Sequence, residues 1–230
     1  MSLEVDAVTF DDFGTLRYSA SEQEDIIYPI FRALSKRGIR LTEKTFLRRY
    51  FKVDAIYRKK LRETSRESLL DDMIADVLKP LGFKSKVHKN AIRESVDYGL
   101  STRSVKWYPD AVSVLSTLRR KGYKLGLISN THWRFLESLR TKMERTFDVT
   151  TLSYEHGYAK PHPSIFLATL KKLGVEANRC LHVGDDPVAD VQGAKNVGMK
   201  TVFIKRTTLE ADADIIIERL GQLLELLDKK

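Results

Sequence analysis

The segment from Phe10 to Leu16 constrains the fold of this chain more than any other. An apolar run predicts a short buried strand, and Asp11 follows directly at the carboxyl end of that run. The apolar residues are Val5, Ala7, Val8 and Phe10. Gly14 then allows the chain to turn. Because ligands of open α/β sheets bind outside the carboxyl ends of the strands, Asp11 is a candidate site residue.

A second apolar run is also followed by polar residues. Residues 123–129 predict a buried strand, which comes after an amphipathic helix expected over 110–121. This strand ends at Ser129, and Asn130 follows it. A second group of hydrogen-bonding side chains is therefore expected at a strand end.

Two further segments carry charged residues in similar positions. Lys160 opens the sequence Lys-Pro-His-Pro, just before a helix expected over 164–173. Residues 179–185 predict another strand, which ends in Asp185 and Asp186, and Asp190 follows. Several carboxylates at one edge of a sheet repel each other unless they are protonated or bridged by a cation.

These four segments, in this order, resemble the motifs of the haloacid dehalogenase superfamily. The first motif of that family is written Asp-x-Asp-Gly-Thr-Leu, which aligns its nucleophile with Asp11 and its second Asp with Phe13. Aligning Asp12 with the nucleophile instead would break the Gly-Thr-Leu spacing. The resemblance implies an α/β fold with a Rossmann-like parallel-sheet core and an inserted all-helical cap domain.

The pattern of elements agrees with such an insertion. Residues 17–103 contain no convincing strand and show helical periods over 21–37, 43–62, 67–79 and 86–98. Later strands are expected over 149–153, 200–204 and 214–217, with a final packing helix over 218–227. We therefore expect a core domain formed by 1–16 and 104–230, and a helical cap domain formed by 17–103.

The resemblance also implies roles for the candidate residues. The catalytic residues would be Asp11 as the nucleophile, Ser129, whose hydroxyl would hydrogen-bond the transferring group, and Lys160, which would balance charge. Ser129, Asn130 and Lys160 would also bind the substrate. Mg²⁺ would be held by Asp11, the main-chain carbonyl of Phe13 and Asp185, with Asp186 or Asp190 as a further direct or indirect contact. From the residues alone, Asp186 could instead cap a helix that begins near Pro187, and Asp190 could decorate that helix.

Phe13 leaves the reaction open, because it cannot supply the proton transfer of a second carboxylate. The favoured function is a Mg²⁺-dependent phosphatase that acts on a small phosphorylated metabolite through an aspartyl-phosphate. A 2-haloacid dehalogenase is the alternative, since true dehalogenases resemble this chain in having an aromatic residue there, although their fourth motif is usually less acidic. A third possibility is a weakly catalytic protein that binds a ligand or regulates a partner.

Composition narrows the remaining choices. The 230 residues carry a formal net charge of +9, which fits a small phosphorylated or otherwise anionic substrate. Basic residues concentrated in 48–66 are typical of a solvated helix face, so nucleic acid is not expected as a partner. No apolar run approaches the roughly 20 residues of a membrane span, and with a single cysteine, Cys180, we expect a cytoplasmic protein. Nothing indicates an oligomeric state. Four histidines match no nucleophile pattern and are expected to be non-catalytic: His132, His156, His162 and His182.

Overall fold

The computed structural model describes residues 3–19, 21, 26–66, 68–83, 85–101, 105–131 and 140–227. The chain divides into two compact units. One comprises Met1–Tyr18 with Lys106–Lys230, and the other comprises Ser19–Val105. His132 and part of the first expected helix lie outside the described residues. That the second unit acts as a cap stays a prediction.

Short strands alternate with helices in the first unit. The strands of the described residues, in both units together, are β1 (Ala7–Phe10), β2 (Arg17–Ser19), β3 (Val105–Trp107), β4 (Lys124–Ser129), β5 (Val149–Leu152), β6 (Cys180–Gly184), β7 (Lys200–Ile204) and β8 (Ile215–Ile217). Six of them form one parallel sheet in the order β5-β4-β1-β6-β7-β8. The predicted Rossmann-like parallel sheet is confirmed.

Both faces of this sheet are covered. Successive side chains of a strand point to opposite faces, and those of β1 belong to two different core clusters. The α-helices of the described residues are α1 (Tyr28–Lys36), α2 (Glu43–Thr64), α3 (Leu70–Leu78), α4 (Ser85–Ser101), α5 (Ala111–Arg120), α6 (Arg140–Thr146), α7 (Ser153–His156), α8 (Pro163–Leu173), α9 (Gly193–Lys195) and α10 (Leu223–Leu226). Val8 and Phe10 belong to one core cluster, which includes buried residues of α5 and α10. Ala7 belongs to a second cluster on the other face, with Phe166 and its neighbours in α8.

The order of the strands fixes where the site can lie. From the central β1, the chain first adds β4 and β5 on one side and later adds β6, β7 and β8 on the other. The order therefore reverses between β1 and β6, which is where open α/β sheets form a crevice at the carboxyl ends of their strands. Asp11 follows β1 and Asp185 follows β6, so both residues lie at this point.

The second unit is built from α1 to α4 together with a short 3₁₀ turn, Lys79–Leu81. Its core includes Ile30, Phe46 and Ile74, all of which are fully buried. Gly99 allows α1 and α4 to approach closely, since a Cβ there would lie 2.4 Å from Cγ1 of Ile30. The helical character expected for this part of the chain is therefore observed.

Three differences from the expected elements are local. The expectation of no strand within 17–103 was wrong for β2, which pairs with the equally unexpected β3. The expected final helix is broken into a 3₁₀ turn, Leu220–Gln222, and the single α-turn of α10. The segment after Pro187 is a π-helical turn, Pro187–Gln192, that leads into α9. None of the described helices is long and apolar enough to cross a membrane.

Candidate active site

A buried ammonium group joins two carboxylates at the carboxyl edge of the sheet. The Nζ atom of Lys160 donates to Oδ1 of Asp11 and to Oδ1 of Asp190, at 2.6 Å in each case. All three side chains are buried. The backbone N–H of Asp11 also donates to the carbonyl of Val183 at 2.9 Å, which fixes the start of the loop after β1 against β6.

Lys160 reaches this position because its backbone is held by the residue that follows β4. The amide of Asn130 accepts from the backbone N–H of Lys160 at 2.7 Å and donates to its carbonyl at 3.0 Å. Asn130, which is expected to contact substrate, thus uses both the oxygen and the nitrogen of its side-chain amide to hold the backbone of Lys160. Ser129 is buried at the end of β4.

Asp185 completes a group of three acidic residues. Each of Asp11, Asp185 and Asp190 offers a carboxylate oxygen, and these three oxygens lie within 4.8 Å of one another. Three carboxylates face one ammonium, so the group is strongly negative when all are ionised. Clustered hard oxygen donors are the set that binds Mg²⁺, and the residues present therefore fit a divalent cation.

The pKa values of Asp11 and Asp185 also favour binding of a cation. Burial raises the pKa of Asp11 well above its usual range, and the charges of Asp190 and Asp185 add to this against the opposing effect of Lys160. Burial and repulsion from Asp190 raise the pKa of Asp185 to about 6. Ionising all three groups is therefore unfavourable unless a second positive charge joins Lys160.

Lys160 and Asp190 behave as an ion pair within this group. Burial alone would lower the pKa of Lys160, but the charges of Asp11 and Asp190 outweigh it, and the pKa is raised. Burial likewise opposes ionisation of Asp190, yet Lys160 and a hydrogen bond from His182 lower its pKa overall. The charge of Lys160 therefore favours the ionised form of Asp190, and it opposes the effect of burial at Asp11.

Gly14 and Thr15 bring the loop after β1 against Asp185. The hydroxyl of Thr15 donates to Oδ1 of Asp185 at 3.0 Å. Gly14 has φ +97°, and a Cβ at this position would lie 2.2 Å from Oδ2 of Asp185. A side chain at residue 14 would therefore displace the carboxylate, so this loop needs glycine for space as well as for backbone conformation.

Asp12, the neighbour of Asp11, has a different environment. Its carboxylate accepts from Nε and Nη2 of Arg17, and both side chains are almost completely buried. Its carbonyl accepts from the backbone N–H groups of Leu16 and Arg17, at 2.8 and 2.9 Å. Asp12 therefore closes the loop between β1 and β2, while Asp11 points into the acidic group.

Asp186 and Asp190 make different contacts. Oδ1 of Asp186 accepts from the backbone N–H groups of Val188 and Ala189, at 2.8 Å each, so it caps the turn that begins at Pro187. Asp190, which stands four residues later, points back to Lys160. Of the two alternatives for a further contact, the carboxylate of Asp190 lies in the acidic group, and that of Asp186 caps the turn.

Residues 5–198 match the family model of haloacid dehalogenase-like hydrolases, which spans most of the chain. The chain belongs to this family.

Named relatives of this haloacid dehalogenase-like hydrolase include phosphatases. Over 131 residues it is 37% identical to a glyceraldehyde 3-phosphate phosphatase of Pyrococcus furiosus, covering 53% of this chain and 55% of the relative. The chain therefore spans about half the length of this relative. A solved structure of a HAD phosphatase from Thermococcus onnurineus matches 98% of this chain and 99% of its own, with 28% identity and a TM-score of 0.66.

A solved 2-haloacid dehalogenase from Pseudomonas syringae pv. Tomato DC3000 has the same fold. It matches 96% of this chain and 97% of its own with a TM-score of 0.74, at 23% identity. At this identity the likeness concerns the fold alone.

The sequence did not reveal that His182 contacts the acidic group of this haloacid dehalogenase-like hydrolase. His182 is buried in β6, with Nε2 3.3 Å from Oδ1 of Asp190 and Nδ1 2.9 Å from the hydroxyl of Thr9. Burial lowers the pKa of His182. The signal in the sequence was a polar residue in an otherwise apolar strand, at a position where its side chain faces the core.

Proposed function

We propose that this chain is a Mg²⁺-dependent phosphatase that acts on a small phosphorylated metabolite through an aspartyl-phosphate on Asp11. The observation that carries the proposal is the ammonium of Lys160, held 2.6 Å from both Asp11 and Asp190 beside a third carboxylate, Asp185. The relatives named as phosphatases support the same reaction.

The donor set of the acidic group supports Mg²⁺ as the metal. Asp11, the main-chain carbonyl of Phe13 and Asp185 would hold it, with Asp190 as a further contact. When bound, Mg²⁺ supplies positive charge that neutralises the carboxylates and the phosphoryl group.

Asp11 would act as the nucleophile through Oδ2, because Oδ1 accepts the hydrogen bond from Lys160. Its attack forms an oxygen–phosphorus bond as the bond to the leaving oxygen breaks. Water then attacks the phosphorus, which releases inorganic phosphate and restores the Asp11 carboxylate. Lys160 would stabilise the charge of the transferring group, and the buried hydroxyl of Ser129 would donate to one of its oxygens.

Phe13 limits which esters the site can cleave quickly. A positioned acid and base contributes about 10²- to 10⁴-fold, and a benzyl side chain cannot provide one. Leaving groups that depart without protonation do not need the missing acid in the first step, whereas alkyl alcohols do. We therefore expect faster turnover of activated phosphate esters.

The test uses purified protein, Mg²⁺ and 4-nitrophenyl phosphate. We expect release of nitrophenol that disappears on addition of a chelator and in Asp11→Asn. Asp212→Asn is a matched control, since Asp212 is fully exposed and pairs only with Lys195 in the described structure. Turnover that survives both chelation and Asp11→Asn would contradict the proposal.

Dehalogenation is the second candidate, and the observation that favours it is the aromatic residue at position 13. The acidic group counts against it, because an unneutralised cluster of carboxylates repels a carboxylate substrate. This reaction predicts halide release from 2-chloropropionate without added metal. If neither assay responds, but a phosphorylated ligand raises the melting temperature, the chain is a binding or regulatory protein.

A further inference from the structure

His182 is a buried ionisable residue that takes no part in the chemistry proposed above. It stands in β6, three residues before Asp185, and is only 1% exposed. Its ring packs edge-on against Phe166, with centroids 5.3 Å apart. Each of its nitrogen atoms nevertheless has a polar neighbour, Thr9 on one side and Asp190 on the other.

These two neighbours determine which nitrogen carries the proton. Nε2 lies 3.3 Å from Oδ1 of Asp190, which is a carboxylate and can only accept, so Nε2 must carry hydrogen to make this contact favourable. Nδ1 then accepts from the hydroxyl of Thr9 at 2.9 Å. Thr9 and His182 are paired residues of adjacent strands, so the sheet itself fixes their separation.

The position of Thr9 is in turn fixed by close packing. A Cβ on Gly126 of the neighbouring strand would lie 2.8 Å from Cγ2 of Thr9, so the glycine leaves only enough room for the threonine. The hydroxyl of Thr9 can also donate to the carbonyl of Leu181, but over a longer distance of 3.4 Å. The contact between the hydroxyl of Thr9 and Nδ1 of His182 is therefore the shorter of these two.

The hydrogen bond from His182 restricts the carboxylate of Asp190. Oδ1 accepts from both Lys160 and His182, and Oδ2 accepts from the backbone N–H of Asp186 at 3.0 Å. A Cβ on Gly184 would lie 2.2 Å from Cγ of Asp190, so the carboxylate lies directly against the strand. Three donors thus fix one orientation of Asp190, and that orientation directs its Oδ1 at Lys160.

We propose that His182, held by Thr9, is a positioning residue that orients Asp190 and, through Asp190, sets the position of the Lys160 ammonium beside Asp11. This inference rests on the phosphatase reaction proposed above. Among the described residues, His182 hydrogen-bonds to Thr9 and Asp190 and not to Asp11. Its effect should therefore appear where Lys160 stabilises the developing charge, that is, in kcat more than in KM.

The first test compares two substitutions of His182 with a matched control. His182→Leu introduces an apolar side chain of similar size and removes the donor to Asp190. We expect kcat with 4-nitrophenyl phosphate to fall about 10- to 100-fold, the usual effect of losing such an outer partner. KM should change much less. His182→Gln restores an N–H donor and should recover most of the loss.

Val202→Ala is the control for lost packing. Val202 is fully buried in β7. It pairs with Val183, the residue that follows His182 in β6, and its side chain is apolar. It should lower the melting temperature and leave kcat near the wild-type value. If His182→Leu behaves like Val202→Ala, or His182→Gln recovers nothing, the positioning role is refuted.

A second test does not depend on turnover. Two-bond ¹H–¹⁵N spectra of the ¹⁵N-histidine-labelled protein, assigned by comparison with His182→Gln, should show the Nε2–H tautomer for His182. Thr9→Val removes only the hydroxyl and should lower kcat and disturb this signal, whereas Thr9→Ser should restore both. An Nδ1–H tautomer in the wild type would overturn the inference. Lack of turnover in wild-type protein that shows the Nε2–H signal would instead refute the proposed function.

Discussion

The adjacent residues Asp11 and Asp12 allow chemistry and stability to be separated. Asp11 lies in the acidic group and pairs with Lys160, while Asp12 forms a buried ion pair with Arg17. We predict that Asp11→Asn abolishes phosphatase activity with little loss of stability. Asp12→Asn should have the opposite effect, with a marked loss of stability and turnover that persists in the folded fraction.

The size of the stability loss follows from burial. The side chains of Arg17 and Asp12 are 1% and 4% exposed, so removing the charge of Asp12 leaves a guanidinium without its counter-charge in the protein interior. Breaking a buried pair in this way costs about 3–5 kcal/mol. A domain of this size loses about 2–4 °C of melting temperature per kcal/mol, which gives an expected drop of about 6–20 °C.

Asp11→Asn should behave differently because the pKa of Asp11 is raised in the folded protein. A raised carboxyl pKa means that the ionised form opposes folding at neutral pH, so a neutral amide removes an unfavourable charge. Lys160 keeps Asp190 as its counter-charge. Without metal, the melting temperature of Asp11→Asn should therefore equal or exceed that of the wild type.

The assay is differential scanning calorimetry of the metal-free proteins, followed by turnover of 4-nitrophenyl phosphate with Mg²⁺ well below the melting temperature of each variant. Arg17→Met in the Asp12→Asn background should recover part of the lost stability, because the unpaired charge is removed. The reasoning is refuted if Asp12→Asn melts like the wild type but is inactive, or if Asp11→Asn retains turnover.

Three further predictions concern the loop after β1 and the metal. Gly14→Ala should weaken Mg²⁺ binding about tenfold or more, as measured by calorimetry, because the added Cβ would displace Asp185. Gly122→Ala is the control and should leave Mg²⁺ binding unchanged, since Gly122 has a similar φ of +80° but an added Cβ there would meet no atom within 4 Å. Phe13→Asp should speed hydrolysis of alkyl phosphates more than that of 4-nitrophenyl phosphate, and equal effects would mean that another acid already serves. Mg²⁺ at about 100 times its Kd should stabilise the wild type by about 2.7 kcal/mol, and Asp185→Asn should lose most of this shift.

The sheet could be predicted from the sequence because its strands are buried on both faces. Such strands appear as continuous apolar runs, and β7 was expected over the residues where it occurs. The strand β4 begins one residue later than expected. In contrast, β2 and β3 have the sequences Arg-Tyr-Ser and Val-Lys-Trp, which contain no continuous apolar run, so this signal could not reveal them.

The sequence predicted the positions of only those site residues that lie directly at the ends of strands. That Asp11 and Asp185 lie close together follows from parallel strands ending at one edge. Which of the later acidic residues joins them depends on the π-helical turn after Pro187, which leaves Asp186 as the cap and brings Asp190 back to Lys160. The hydrogen bonds of Asn130 and His182 depend on side-chain geometry that no spacing in the sequence encodes.

The loop after β1 explains how the chain can carry Phe13 without losing the rest of the site. Its backbone is closed by contacts of the neighbouring residues: the carbonyl of Asp12 accepts from Leu16 and Arg17, and the N–H of Gly14 donates to the carbonyl of Arg17 at 2.7 Å. The side chain of Phe13 is 44% exposed and is not part of the core. Replacing a carboxylate by a benzyl group there therefore changes proton transfer, but leaves the backbone carbonyl of residue 13 where the loop holds it. In the proposed reaction, metal binding and nucleophilic attack would depend on the backbone of residue 13 and on Asp11, so they would persist when the second carboxylate is lost.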